Sequence, residues 1–157
     1  NEIKSMRQQV EQQITVYEGV DSLRAYWLST LERFPEGTVD YCLGVPLENR
    51  WENLMGESAL KKYVALRKKK KFVWKTVLFE LEEGQIQHYK NLPELTEYRL
   101  WKKDIRQIGN FNVMHDTVIL QSMTDAPRII EIRDADMVTI FRNYFDAVWC
   151  EAVPIVV

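Results

Sequence analysis

The sequence predicts an α/β domain, a mixed β-sheet covered by helices, and three observations carry that prediction. Segments with apolar residues at helical period alternate along the chain with apolar runs too short to be helices. Two of those runs, TVDYCLGVP from Thr38 and FVWKTVLFEL from Phe72, are nearly continuous in apolar and β-branched residues, as strands covered on both faces are. The 157 residues, 46% hydrophobic and 28% charged, suffice for one core and exclude a disordered chain.

The opening NEIKSMRQQVEQQITVYEG sets Ile3, Met6, Val10 and Tyr17 on helical spacing, with polar Gln13 between. Residues 1–14 are therefore expected to form an amphipathic helix that pairs with a copy of itself, and Ile3, Met6 and Val10 are its candidate dimerisation residues. Residues 15–157 are expected to form the main domain. A helix over Asp21–Phe34 presents Leu23, Tyr26, Trp27, Leu31 and Phe34 on one face, with Asp21 as its cap and Pro35-Glu36-Gly37 as its stop. The strand TVDYCLGVP follows, closed by a proline. Glu57–Lys70 is helical, with Leu60, Tyr63 and Val64 inward and basic residues at its end. After the strand FVWKTVLFEL, Glu82–Leu92 reads as a helix or turn and EYRLWKK as a short strand. FNVMHDTVILQSM supplies two strands turning near His115 and Asp116, and PRIIEIR a further strand. Asp134–Ala152 closes the chain as an amphipathic helix, with Val138, Phe141, Phe145, Val148, Trp149 and Ala152 on one face.

Several function classes are excluded. A net charge of -2 argues against the whole chain being an electrostatic binder of nucleic acid. Cys42 and Cys150, in YCLGV and AVWCEA, read as buried apolar residues, and two cysteines without a secretory segment point to a reducing compartment. No apolar run reaches the roughly 20 residues that span a bilayer, so no membrane role is expected. There is no phosphate loop, dinucleotide fingerprint, nucleophile elbow or CxxC pair, and hence no expected cofactor. His88 and His115 lack metal-ligand spacing, so no metal site is expected, and His88 in GQIQHYK reads as an exposed helix residue. The run Lys68–Lys71 after Arg67 would suit a phosphate. It sits at a helix C-terminus, where cations complement the macrodipole, and reads as a solvated helix end. A chain that begins NEIKSM is expected to be the C-terminal part of a longer cytoplasmic protein.

The tail FRNYFDAVWCEA, the opening VYEG at Val16–Gly19, and the order of elements between them, with MHDTVIL and PRIIEI, resemble the C-terminal domain of TrmB-like transcriptional regulators. The resemblance covers almost the whole chain from Thr15. It implies a phospholipase-D-like fold, a homodimer, and DNA contacts made only through a winged-helix domain preceding Asn1. It also implies a small-molecule effector, a sugar or an anion, rather than a reaction.

Catalytic phospholipase-D enzymes carry H-x-K-x-x-x-x-D at the strand where His115 stands. There the histidine is the nucleophile and the lysine holds the phosphate charge. Laid on His115, the lysine position is Thr117 and the aspartate position Ser122, so two of three groups are absent and no catalysis is expected. The alternative is a divergent phosphodiesterase that recruits Lys75, Lys102 or Lys103. Without catalysis, His115 is the remnant of a catalytic position, now structural or ligand-facing, and the cleft at the strand ends is the expected binding site, with His115 among its residues. Asn110 and Asn112 would bring amides to it. Glu131, a charge in an otherwise apolar strand, needs a partner. Trp51 and Arg50, beyond a strand end, would face a ligand, whereas Trp74 reads as core.

Overall fold

The computed structural model describes residues 13–46 and 48–156. Ile3, Met6 and Val10, the expected dimerisation residues, lie outside them. A single eight-stranded sheet of order β1-β7-β6-β5-β2-β3-β4-β8 organises the described residues. The expected α/β class and mixed sheet are both present.

β1 (Ile14–Glu18) corrects the first reading, which carried helical spacing through Tyr17. The β-branched run Ile14-Thr15-Val16 pairs antiparallel with β7 (Arg128–Ile132), Val16 opposite Ile130, and Tyr17 packs on Tyr26 at 4.9 Å. Gly19 ends the strand with φ 89°, a left-handed value that favours glycine, and donates its amide to Pro127 O at 2.9 Å. α1 (Val20–Arg33) starts at that turn, so Gly19 and not Asp21 holds the cap position. Asp21 lies in the first turn, where its charge suits the helix dipole.

β2 (Val39–Leu43), β3 (Val73–Leu78) and β4 (Thr96–Leu100) are parallel neighbours. Their connections carry α2 (Arg50–Lys70) and α3 (Glu83–Asn91). α2 begins more than a turn ahead of the expected Glu57. Gly56 (φ 72°) kinks it there, and the Arg24 guanidinium donates to Leu54 O at 2.9 Å beside the break. α3 opens with a capping box in which Glu82 N donates to Gln85 Oε1 at 2.9 Å. β5 (Gly109–Met114) and β6 (Thr117–Ser122) form the expected hairpin, with His115 and Asp116 as its two turn residues. α4 (Ala135–Glu151) is capped by Asp134, which accepts from Met137 N at 2.9 Å, and β8 (Val153–Pro154) closes the sheet beside β4.

The helices form two unequal layers. α1 and α2 bury Leu23, Trp27, Leu31, Met55 and Tyr63 against Met114, Ile119 and Ile129 of the sheet. α4 covers the other face, with Phe145, Trp149 and Ala152 on Val77. Burying a side chain the size of fully enclosed Phe145 stabilises by roughly 1.5–3 kcal/mol and contributes to docking α4 on the sheet. Cys42 is buried as expected, whereas Cys150 is exposed because it follows Trp149 and so turns away from the core. The basic end of α2 also divides. Lys68, Lys69 and Lys71 are exposed, but Arg67 is buried. It stacks over Trp74 at 3.7 Å and donates to Phe72 O, Leu95 O and Thr96 Oγ1, tying α2 to the start of β4.

Candidate functional site

Strand alternation sends Asp40 and Cys42 of β2, Asn110 and Asn112 of β5, and Gln121 of β6 to the face beneath α1 and α2. They form a connected polar floor. Asn112 Nδ2 donates to Asp40 Oδ1 at 2.8 Å, and Asn112 Oδ1 accepts from Asn110 Nδ2 (3.1 Å) and Gln121 Nε2 (3.3 Å). Asn110 Nδ2 also reaches Cys42 Sγ at 2.9 Å, and Trp27 Nε1 donates to Gln121 Oε1 at 3.2 Å. Both ends of this chain are chemically fixed: an ionised carboxylate only accepts and an indole N–H only donates. The amide orientations between them follow.

Above the floor lies a cavity of about 70 Å³. By that measure a water needs roughly 10–15 Å³, so the space holds about five waters or a small ligand. Its walls are aromatic. Trp51 stands edge-on to Tyr63 (5.0 Å) and to Trp74 (6.2 Å), and Tyr98 closes the side towards β4. At the mouth the partly exposed His88 and Glu52 share a hydrogen bond of 2.7 Å, and His88 stands edge-on to Trp74 at 5.5 Å.

Two oxygens of this floor keep open acceptor capacity among the described residues. Asn110 Oδ1 is buried with no hydrogen-bond partner, at a cost of about 1–3 kcal/mol. Asp40 is 4% exposed, and among the described residues it accepts only the one hydrogen bond, from Asn112. Burial raises its pKa from the ordinary 3.8 to about 6, against the opposing pull of the Asn112 hydrogen bond and the Arg67 charge.

The residues expected at a binding site separate into four groups. Asn110, Asn112 and Trp51 line the cavity. Glu131 is buried elsewhere, paired with Arg33 at 3.0 Å and Arg133 at 2.9 Å. Burial alone would raise its pKa, but hydrogen bonds and the two arginine charges outweigh burial and hold it below the usual range. Arg50 lies 3.8 Å from Asp125 and lines a separate open depression, of about 710 Å³, with Lys102, Lys103 and Arg106. His115 is an exposed turn residue with φ 52°, 6.0 Å from the Phe34 ring, and is not among the cavity-lining residues. Thr117, where a catalytic lysine would stand, is fully buried and bonds Asp116 at 2.9 Å. Trp74 is both core and cavity wall. His88, expected on an exposed helix face, is instead drawn inward by Glu52 and Trp74. Asp40 and Gln121 went unmarked in the sequence, although an acid inside TVDYCLGV is the same kind of signal that singled out Glu131.

No protein-family model and no curated protein matches the sequence. Solved structures do. Nuc from Salmonella typhimurium, a phospholipase D family member, superposes with a TM-score of 0.65 at 14% identity, over 90% of this chain and 97% of that one. NucT from Helicobacter pylori gives 0.61 at 9% identity, over 91% and 100%. The fold is the phospholipase-D fold. TrmBL2, an archaeal chromatin protein whose structure shows a novel mode of DNA binding, shares it with a TM-score of 0.60 at 12% identity. That match takes in 98% of this chain but 63% of TrmBL2, so the chain spans less than two thirds of that protein's length. This phospholipase-D-like domain thus shares its fold with a chromatin protein and with a phospholipase D family member. Among its described residues no helix is long and apolar enough to cross a membrane.

The Asp40 carboxyl gives a signed pH dependence. Its folded pKa exceeds the unfolded one, so it penalises folding above pH 6 and ceases to do so as the pH falls to about 4. A shift from 3.8 to about 6 corresponds to about 3 kcal/mol. Asp40→Asn is expected to stabilise the protein by up to that amount at pH 7 and hardly at all at pH 4. Urea denaturation at the two values checks this, and equal effects at both would refute a buried charge at Asp40.

Proposed function

We propose that the domain is the effector-sensing and pairing unit of a TrmB-like transcriptional regulator, without catalytic activity of its own, working in the cytoplasm. The observation that carries this reading is the small cavity with a hydrogen-bonded polar floor and aromatic walls, the composition of a small-molecule site. The likeness to TrmBL2, a chromatin protein, supports a DNA-associated setting. DNA would be contacted by a winged-helix domain preceding Asn1, which fits a net charge of -2 on this chain. Residues 1–14, through Ile3, Met6 and Val10, would pair two copies. The effector regulates only if it prefers one arrangement of that pair, since equal affinity for two states shifts neither.

A phosphodiesterase reading has the likeness to Nuc behind it. It requires a cation to replace the missing lysine beside His115, in place of Thr117, and an acid in place of Ser122. Bis(p-nitrophenyl) phosphate separates the two readings. No turnover is expected, and turnover abolished by His115→Ala would establish the enzyme instead.

The effector site is tested by a thermal-shift screen against sugars, sugar phosphates, amines, nucleotides and simple anions. A ligand at about 100 times its dissociation constant adds roughly 2.7 kcal/mol, which for a chain of this size raises Tm by about 5–10 °C. At least one such hit is expected, lost in Asn110→Ala. A flat screen would count against the sensor.

A further inference from the structure

The cavity floor is asymmetric in what it offers, and that asymmetry names a ligand class. Every amide nitrogen on the floor donates within the network, Asn110 with both of its N–H groups and Asn112 and Gln121 with one each. Asn112 Nδ2 serves Asp40, Gln121 Nε2 and Asn110 Nδ2 serve Asn112, and Trp27 Nε1 serves Gln121. Acceptors remain open. Asn110 Oδ1 is buried and unpartnered, and the second oxygen of Asp40 accepts no hydrogen bond from the described residues. A ligand that donates satisfies both of these buried acceptors. Indole and phenol faces attract cations through their quadrupoles, and Trp51, Trp74 and Tyr63 line the same cavity as the carboxylate. Glu52 adds a second acid at the mouth, beside His88. The one buried cation nearby, Arg67, is turned away: it stacks on Trp74 and is bound to Phe72 O, Leu95 O and Thr96, and it does not line the cavity.

From this we infer that the site takes a small primary ammonium group, whose N–H donors bind Asp40 and Asn110 Oδ1 while its charge sits among the tryptophans. This deepens the effector reading above and rests on it. An anion is disfavoured because it would meet the Asp40 carboxylate with no free cation. A neutral sugar would satisfy the acceptors but leave that carboxylate without a counter-charge. The remaining polar groups of the wall, Thr76, Tyr98 and the Gln85 amide, can bind a hydroxyl or carbonyl elsewhere on the same ligand.

The experiment is an NMR titration of the 157-residue chain with ethylammonium, tetramethylammonium, glucose and phosphate. It follows the side-chain amides of Asn110, Asn112 and Gln121. Ethylammonium is expected to move them, with an affinity on the order of 1 mM for so few heavy atoms. Tetramethylammonium, which cannot donate, should bind at least tenfold more weakly. Asp40→Asn, which the pH argument expects to fold at least as well as wild type, should weaken ethylammonium at least tenfold. Asn110→Ala should weaken it several-fold. Glucose or phosphate moving these amides while ethylammonium does not would overturn the ammonium assignment and leave the effector site standing. Silence from all four probes would overturn both. Ethylammonium binding unaffected by Asp40→Asn would overturn the role given to that carboxylate.

Discussion

The 2.8 Å hydrogen bond from Asn112 to Asp40 joins the parallel half of the sheet to its antiparallel half, and much else follows from it. A carboxylate placed under two helices must be solvated by the protein itself or leave the fold. Asn112 supplies the first donor. Its own carbonyl then orients Asn110 and Gln121, and Gln121 in turn receives the Trp27 indole of α1. The network thereby links side chains of β2, β5 and β6 to one another and to the helix above them. The network is also incomplete, with one oxygen of Asp40 and one of Asn110 left over. A core filled with apolar side chains would leave no such open acceptors.

The contrast with Glu131 makes the point by comparison within one molecule. Both acids sit in strands that are otherwise apolar, and both are nearly inaccessible. Glu131 has Arg33 and Arg133 within 3.0 Å, and its pKa falls. Asp40 has one amide, that of Asn112, but no guanidinium in hydrogen-bond reach among the described residues, and its pKa rises. The first is a structural ion pair that pins β7 to α1. The second keeps an unmet demand for positive charge, and the nearest candidate, Arg67, is committed to main-chain carbonyls and the Trp74 face.

The sequence made the class and most elements legible because their signals are local. Period-2 and period-3.6 patterns mark β2, β3, α1 and α4, and the turn at His115 and Asp116 is bounded by strong strand formers on both sides. Failures came where local signals compete. The spacing of Ile3, Met6 and Val10 runs on to Tyr17, yet the β-branched Ile14-Thr15-Val16 and a free edge on β7 make β1 a strand. Gly56 hid the first turns of α2, because a kinked helix resembles a helix start. The site was half legible. Asn110, Asn112 and Trp51 could be proposed from the strand ends, but which of two buried acids lacks a partner depends on Arg33, nearly a hundred positions from Glu131. His115 drew attention through a motif, while its place at an exposed turn is set by the hairpin's pairing.

The claim on which the account rests is that Asp40 is a desolvated carboxylate facing a cavity, held by the Asn112 amide rather than by a cation. The direct measurement is the titration of its carboxyl carbon by ¹³C NMR in the ligand-free protein. The account predicts a midpoint near 6. A midpoint at about 4, that of a carboxyl in water, would mean that the group is solvated or paired and would contradict the site as described.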